Sequence, residues 1–317
     1  MTARAFAAVA AVAAAGSLPL KTVATVPLPG GASRLDYASI DSQRHRLFVA
    51  HLGGGLVIVF DTKTRHVVKA IPAPGAHGVL AVPELGRVFA TATDSHRLLT
   101  IDERTLKVIA SAPAGDYPDG IAWDPDRRRV YVSDESGGVL TAFSAAGRRI
   151  ATVQLGGEAG NVQYDSGSRR VLVAVQSRND LAIVDPRSEH VTRRVALQDC
   201  RHPHGFLVDA PRRLAFVACD GNATLLTLDL RLLRVVGGAS VGGSPDVLAF
   251  DSSLRRLYVA SESGEVAVFA ERRRRLRRLG QAFLAPAAHV VAVDSRTHLV
   301  YFPLQFGPKL QIMKPTR

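Results

Sequence analysis

The sequence predicts an all-β fold, a seven-bladed β-propeller of four-stranded antiparallel blades, on three observations. A motif recurs along the chain: an apolar tetrapeptide, an Asp, a short polar stretch rich in Arg, then an aromatic residue or Leu leading into Val-Ala or a close variant. Its clearest copies run from Ile121-Ala-Trp-Asp124 to Tyr131 and from Leu248-Ala-Phe-Asp251 to Tyr258. The copies align without gaps. Pivots fall at Asp41, Val82, Asp124, Asp165, Asp209, Asp251 and Asp294, and seven residues after each stand Phe48, Phe89, Tyr131, Leu172, Phe216, Tyr258 and Tyr301. The period of about 42 residues is that of a propeller blade. Each copy also breaks into short alternating runs, such as Arg129-Val-Tyr-Val-Ser133 and Arg149-Ile-Ala-Thr-Val153, which have the period of strands and not of helices.

In chain order, the first element is for targeting. Met1 to Ala15 combine Arg4, an unbroken run of Ala, Val and Phe from Ala5, and small residues at Ala13-Ala14-Ala15, the layout of a signal peptide. The apolar run of eleven residues is too short to span a bilayer. Residues 16–317 are then expected to form a single propeller domain, monomeric and periplasmic or secreted. Lys21 to Gly30 read as a lone strand ahead of the first copy, comparable with Val67 to Gly75, whereas the seventh copy runs out after its third strand, Leu310-Gln-Ile-Met313. The N-terminal strand is therefore expected to complete the last blade, covering sheet edges that would otherwise invite aggregation.

Composition limits the function classes. In 317 residues, 47% hydrophobic and 21% charged content excludes a disordered or fibrous chain, and no further run approaches membrane-spanning length. Lys and Arg number 40 against 28 Asp and Glu, a net charge of +12, and only six of the 40 are Lys. Part of that Arg excess is what a biased genome base composition would produce.

Propeller geometry sorts the remaining chemistry by rim. Connections between blades share one rim with the turns between second and third strands, and the remaining turns share the other. Five residues before each pivot, where the chain enters the innermost strand beside the channel, stand Asp36, His77, Asp119, Gly160, His204, Asp246 and His289. Carboxylate and imidazole side chains suit a divalent metal or a polar small molecule, so Asp36, His77, Asp119, His204, Asp246 and His289 are the expected ligand-binding set at the channel mouth. Turn chemistry is the competing explanation, because Asp, His and Gly all tolerate left-handed backbone. On the opposite rim, the densest basic cluster is Arg272, Arg273, Arg274, Arg275, Arg277 and Arg278. It suits a polyanion, either nucleic acid or an anionic envelope surface, although aromatic residues are too sparse for a single-strand stacking platform. A solvated charge ring is the alternative.

The motifs Leu47-Phe-Val-Ala50, Val130-Tyr-Val-Ser133 and Leu257-Tyr-Val-Ala260, with Ile58-Val-Phe-Asp-Thr62 and Ile101-Asp-Glu-Arg-Thr105, resemble those of the YVTN-type, YncE-like seven-bladed propellers exported by Gram-negative bacteria. The resemblance covers residues 21–317 and implies fold and compartment. Where the family motif places Asn, this chain has His51, Ala92, Asp134, Val175, Cys219, Ser261 and Leu304. Cys200 lies in the connection into the fifth blade and Cys219 near the end of its second strand, so both reach one rim. In an oxidising compartment a disulfide across this separation is expected, and the resemblance implies a similarly placed pair. A tetrahedral metal set of Cys200, His202, His204 and Cys219, the histidines in a Pro-containing turn, is the alternative.

The expected function is a non-catalytic, exported scaffold that binds a small molecule or protein. By fold analogy, the second reading is a metal-assisted hydrolase of the lactonase kind, in which the channel-mouth set holds a divalent metal and its bound water is the nucleophile. Gly238-Ala-Ser-Val-Gly242 falls on a fourth strand, which rules out a nucleophile elbow. No Cys-x-x-Cys-His motif supports covalent haem.

Overall fold

The computed structural model describes residues 16–316, which hold seven four-stranded antiparallel sheets arranged as propeller blades. The expected targeting segment, residues 1–15, lies outside the described residues. Blades 1 to 6 take consecutive strands from the channel outward, over residues 38–72, 76–113, 118–154, 159–196, 203–240 and 245–283. Blade 7 is assembled from both ends of the chain. Its inner strands are Ala292–Asp294, Leu299–Leu304 and Lys309–Pro315, and its outer strand is Leu20–Pro27. Leu20 pairs with Pro315 and Pro27 with Lys309, so the ring is closed by the antiparallel ladder expected from the sequence. No helix is long and apolar enough to cross a membrane among the described residues.

Burial explains the strand sequences. Second strands such as Arg46–His51 and Leu214–Cys219 are covered on both faces by neighbouring blades and are made almost wholly of apolar residues. Outer strands such as His66–Pro72 and Arg234–Ser240 are largely exposed and mix charged or small residues with valines such as Val68 and Val236. The residue seven after each pivot is buried in every copy. The core is divided into seven apolar clusters, and each one spans an interface between adjacent blades. A blade therefore has no core of its own and depends on both neighbours.

The pivots are turn-capping residues. Asp41 Oδ1 accepts hydrogen bonds from the Gln43 and Arg44 amides at 2.7 and 3.1 Å, and Asp251 Oδ1 does the same for Ser253 and Leu254 at 3.0 and 2.9 Å. Four residues after each pivot the backbone is left-handed, at His45, Gly86, Arg128, Arg169, Arg213, Arg255 and His298. Val82, the one pivot without a carboxylate, leads into the 3-10 turn Pro83–Leu85 and relies on Gly86 to take that conformation without strain.

The innermost strands carry the feature that shapes the site. In blades 2 to 6 their register against the second strand slips by one residue, between Ala76 and Val79, Pro118 and Ile121, Ala159 and Val162, Pro203 and Phe206, and Pro245 and Leu248. His77, Asp119, Gly160, His204 and Asp246 each lie within such a bulge, a device that re-aims side chains away from the regular pleat. Two glycines let adjacent inner strands close up. A Cβ on Gly78 would sit 2.2 Å from the Asp119 carbonyl oxygen, and one on Gly205 only 1.7 Å from that of Asp246.

Candidate functional site

All six charged residues of the expected set converge at the channel mouth, in two arcs. In the first, His77 Nε2 lies 3.3 Å from Asp36 and 3.5 Å from Asp119. In the second, His204 Nε2 lies 3.4 Å from Asp246, whose other oxygen is 3.9 Å from His289 Nε2. Arg34 joins the arcs, with Nε 2.7 Å from Asp36, Nη2 3.7 Å from Asp246 and Nη1 2.7 Å from Glu262. Around the ring the order Asp36, His77, Asp119, His204, Asp246, His289 alternates acid and imidazole. Gly160 is the spacer that lets seven positions hold an even, alternating set, and a Cβ there would meet Gln176 and His204 at 3.2 and 3.3 Å.

Turn chemistry does not account for these residues. None of the seven has a positive φ; the left-handed residues lie earlier, two before in four blades, at Gly75, His202, Ser244 and Ala287, and further back at Gly31, Gly115 and Gly156 in the other three. His204 is also not in a turn but in the innermost strand Pro203–Asp209.

Burial and charge set the protonation states. Burial opposes ionisation of Asp36, but His77, Arg34 and His289 overcome it and hold the carboxyl well below the usual range. Burial likewise opposes the His77 cation, yet Asp36 and Asp119 lift its pKa to about 10. On Asp246 burial prevails over His204, His289 and Arg34, and the carboxyl is pushed up to about 6. Asp119 is raised for the same reason, against the pull of His77 and His204. His204 is raised because Asp246 and Asp119 outweigh its burial. Tyr37 is driven upward by burial and by Asp119, Asp246 and Asp36, so its hydroxyl stays protonated.

Several functional-looking residues lie outside the expected set. A cavity of about 300 Å³ opens above the second arc, lined by Arg34, Glu135, Gln176, His204, Asp246 and Glu262 among others. Gln176 connects two of these, its Oε1 accepting from His204 Nδ1 at 2.8 Å and its Nε2 donating to Glu135 at 2.7 Å. Asn161 donates to the Tyr37 hydroxyl at 3.2 Å, linking blade 4 to blade 1. The missed signal is a second column of the repeat. Eleven residues after each pivot stand Leu52, Thr93, Glu135, Gln176, Asp220, Glu262 and Gln305, and four of them, Glu135, Gln176, Asp220 and Glu262, line this cavity.

On the opposite rim the Arg cluster is divided. Arg274 is held by Asp229 at 2.6 Å, and Arg278 lies 5.6 Å over the Phe269 ring and donates to the Ser240 carbonyl. Arg272, Arg273, Arg275 and Arg277 are exposed and make no ion pair among the described residues. Many other rim arginines are neutralised, as Arg213 is by Asp165 and Arg255 by Glu271. The cysteines form a buried disulfide, Cys200 to Cys219, with Cα atoms 5.3 Å apart. Both sulfurs are thereby consumed, and the four-ligand metal set with His202 and His204 is excluded.

No family model matches the chain. Over 95 residues it is 28% identical to the uncharacterized protein YncE of Salmonella typhi and, equally, to that of Salmonella typhimurium, a stretch covering 30% of this chain and 27% of those relatives. Among solved structures, a chain of Kuenenia stuttgartiensis hydrazine synthase superposes with a TM-score of 0.77 at 13% identity, covering 92% of this chain and 97% of that one. A chain of the mitotic checkpoint complex gives 0.80 at 11% identity, covering 100% and 98%. At such identities these two show the shared fold alone.

Proposed function

We propose that this chain, a YncE-like seven-bladed β-propeller, is an exported binding scaffold whose small polar ligand sits at the channel mouth. The reading is carried by one observation. Buried or half-buried acids and imidazoles, Asp36, His77, Asp119, His204, Asp246 and His289, alternate around the mouth beneath a cavity of about 300 Å³. A small polar ligand seated in that cavity would meet His204 and Asp246 directly. Export is supported by the character of residues 1–15 and by the disulfide, which persists in oxidising compartments. A second contact, with a polyanion, is assigned to the opposite rim through Arg272, Arg273, Arg275 and Arg277, the members of the cluster left without an internal ion pair.

A thermal-shift screen of polar small molecules against the wild type, His204→Ala and Glu262→Gln tests the reading. Compounds that raise the wild-type Tm by several degrees are expected to lose most of that effect in both variants. Hits that stabilise the variants equally, or no hits at all, would remove the mouth as the binding site. Turnover of a lactone in the same screen would replace the scaffold with a hydrolase.

A further inference from the structure

We propose that Asp36, Asp246 and His289 form a divalent transition-metal site and that Arg34 is the resident cation the metal displaces. The proposal deepens the channel-mouth reading and rests on it. One donor atom from each of the three residues, carried by the segments entering blades 1, 6 and 7, can be chosen so that all lie within 4.8 Å of one another. Their exposures are 1%, 5% and 1%, too low for a chance surface cluster.

The hydrogen bonding of His289 prepares it as a ligand. Its Nδ1 lies 3.0 Å from the Ala287 carbonyl, which only accepts, so Nδ1 carries a proton and Nε2 is the ring nitrogen left to meet a metal. That Nε2 is buried, has no hydrogen-bond partner, and faces a carboxylate oxygen of Asp246 at 3.9 Å. A divalent cation between them would be held by both. Asp36 Oδ1 makes no hydrogen bond either. Arg34 supplies positive charge to the carboxylates from the solvent side, and its side chain is 41% exposed, so it has room to swing away. Two carboxylates with one imidazole favour zinc, cobalt or manganese over calcium and magnesium, which prefer oxygen-only shells. Ligands at about 2.0–2.1 Å from a tetrahedral ion stand roughly 3.3 Å apart, so binding draws the three donors inward as the guanidinium leaves.

The test uses untagged, chelator-treated protein titrated with Co²⁺, followed by visible d–d absorption, and with Zn²⁺ in competition. One equivalent is expected to bind. His289→Ala and Asp246→Asn are expected to weaken it by about 100-fold or more, and His96→Ala, an exposed imidazole on the same rim, to leave it unchanged. Arg34→Ala is the decisive variant: it retains the stoichiometry and tightens binding about tenfold, because a competing charge is gone. Unchanged or weaker affinity in Arg34→Ala overturns the displacement, and absence of Co²⁺ bands in the wild type, or bands that survive His289→Ala, overturns the site. Should His289→Ala or Asp246→Asn fail to fold by circular dichroism, the rise in Tm with Zn²⁺ in the wild type and in Arg34→Ala decides in their place. Small-molecule hits at the mouth without metal binding would sink this inference and leave the proposed function standing; loss of both would end the two together.

Discussion

The buried carboxylates of this chain do different jobs, and what packs against each one separates them. Asp165 caps its turn through the Gly167 amide and the Ser168 hydroxyl and also receives Arg213, so Asp165→Ala strands an inter-blade guanidinium. A loss of about 3 kcal/mol is expected, read as a lower urea midpoint. Glu103 is a different case. Burial, then the neighbouring Asp41, raise its pKa from 4.5 to about 7 despite Arg44. Between those values the folded chain keeps a proton that the unfolded chain has released, so stability falls as pH rises through the window. Glu103→Gln should flatten that fall and raise the Tm by roughly 2–4 °C at pH 8. Parallel Tm–pH curves for variant and wild type would refute the assignment. Neither role was legible residue by residue, because Asp165 and Asp41 occupy the same column and differ only in what the next blade brings against them.

At the scale of the element, the bulged inner strand is the unit that builds the mouth. The gapless repeat made its Asp and His column visible from sequence, but not the slip of register that aims it. Nor could sequence reveal Arg34, which lies ahead of the first strand of blade 1 and acts on Glu262, far along the chain in the second-to-third-strand turn of blade 6. The same limit applies to the basic rim, where Arg274 is neutralised by Asp229 of the preceding blade. Close approach of inner strands gives a sharp prediction. Gly205→Ala would drive its methyl group into the Asp246 carbonyl and is expected to cost at least about 2 kcal/mol in thermal or urea unfolding. Gly243→Ala, whose added carbon would meet nothing nearer than Ser263 at 3.6 Å, should be close to neutral. Equal effects would mean the inner strands have slack.

For the molecule as a whole, seven interfaces share one cooperative ring. Reduction of the Cys200–Cys219 bridge, or Cys200→Ser with Cys219→Ser, is expected to lower stability by about 3 kcal/mol, measured by urea unfolding with and without reductant. Removing residues 16–28 should do more, leaving the Lys309–Pro315 strand as a bare edge; a drop in Tm and self-association on size-exclusion chromatography are the expected signs. The ring's existence was legible because its period is regular, and its seam because the last copy lacked a strand. That seam also fixes an order of events. Leu20–Pro27 leaves the ribosome ahead of every other strand of the ring and finds its partner only when Lys309–Pro315 has been made, so six blades are synthesised before the wheel can latch.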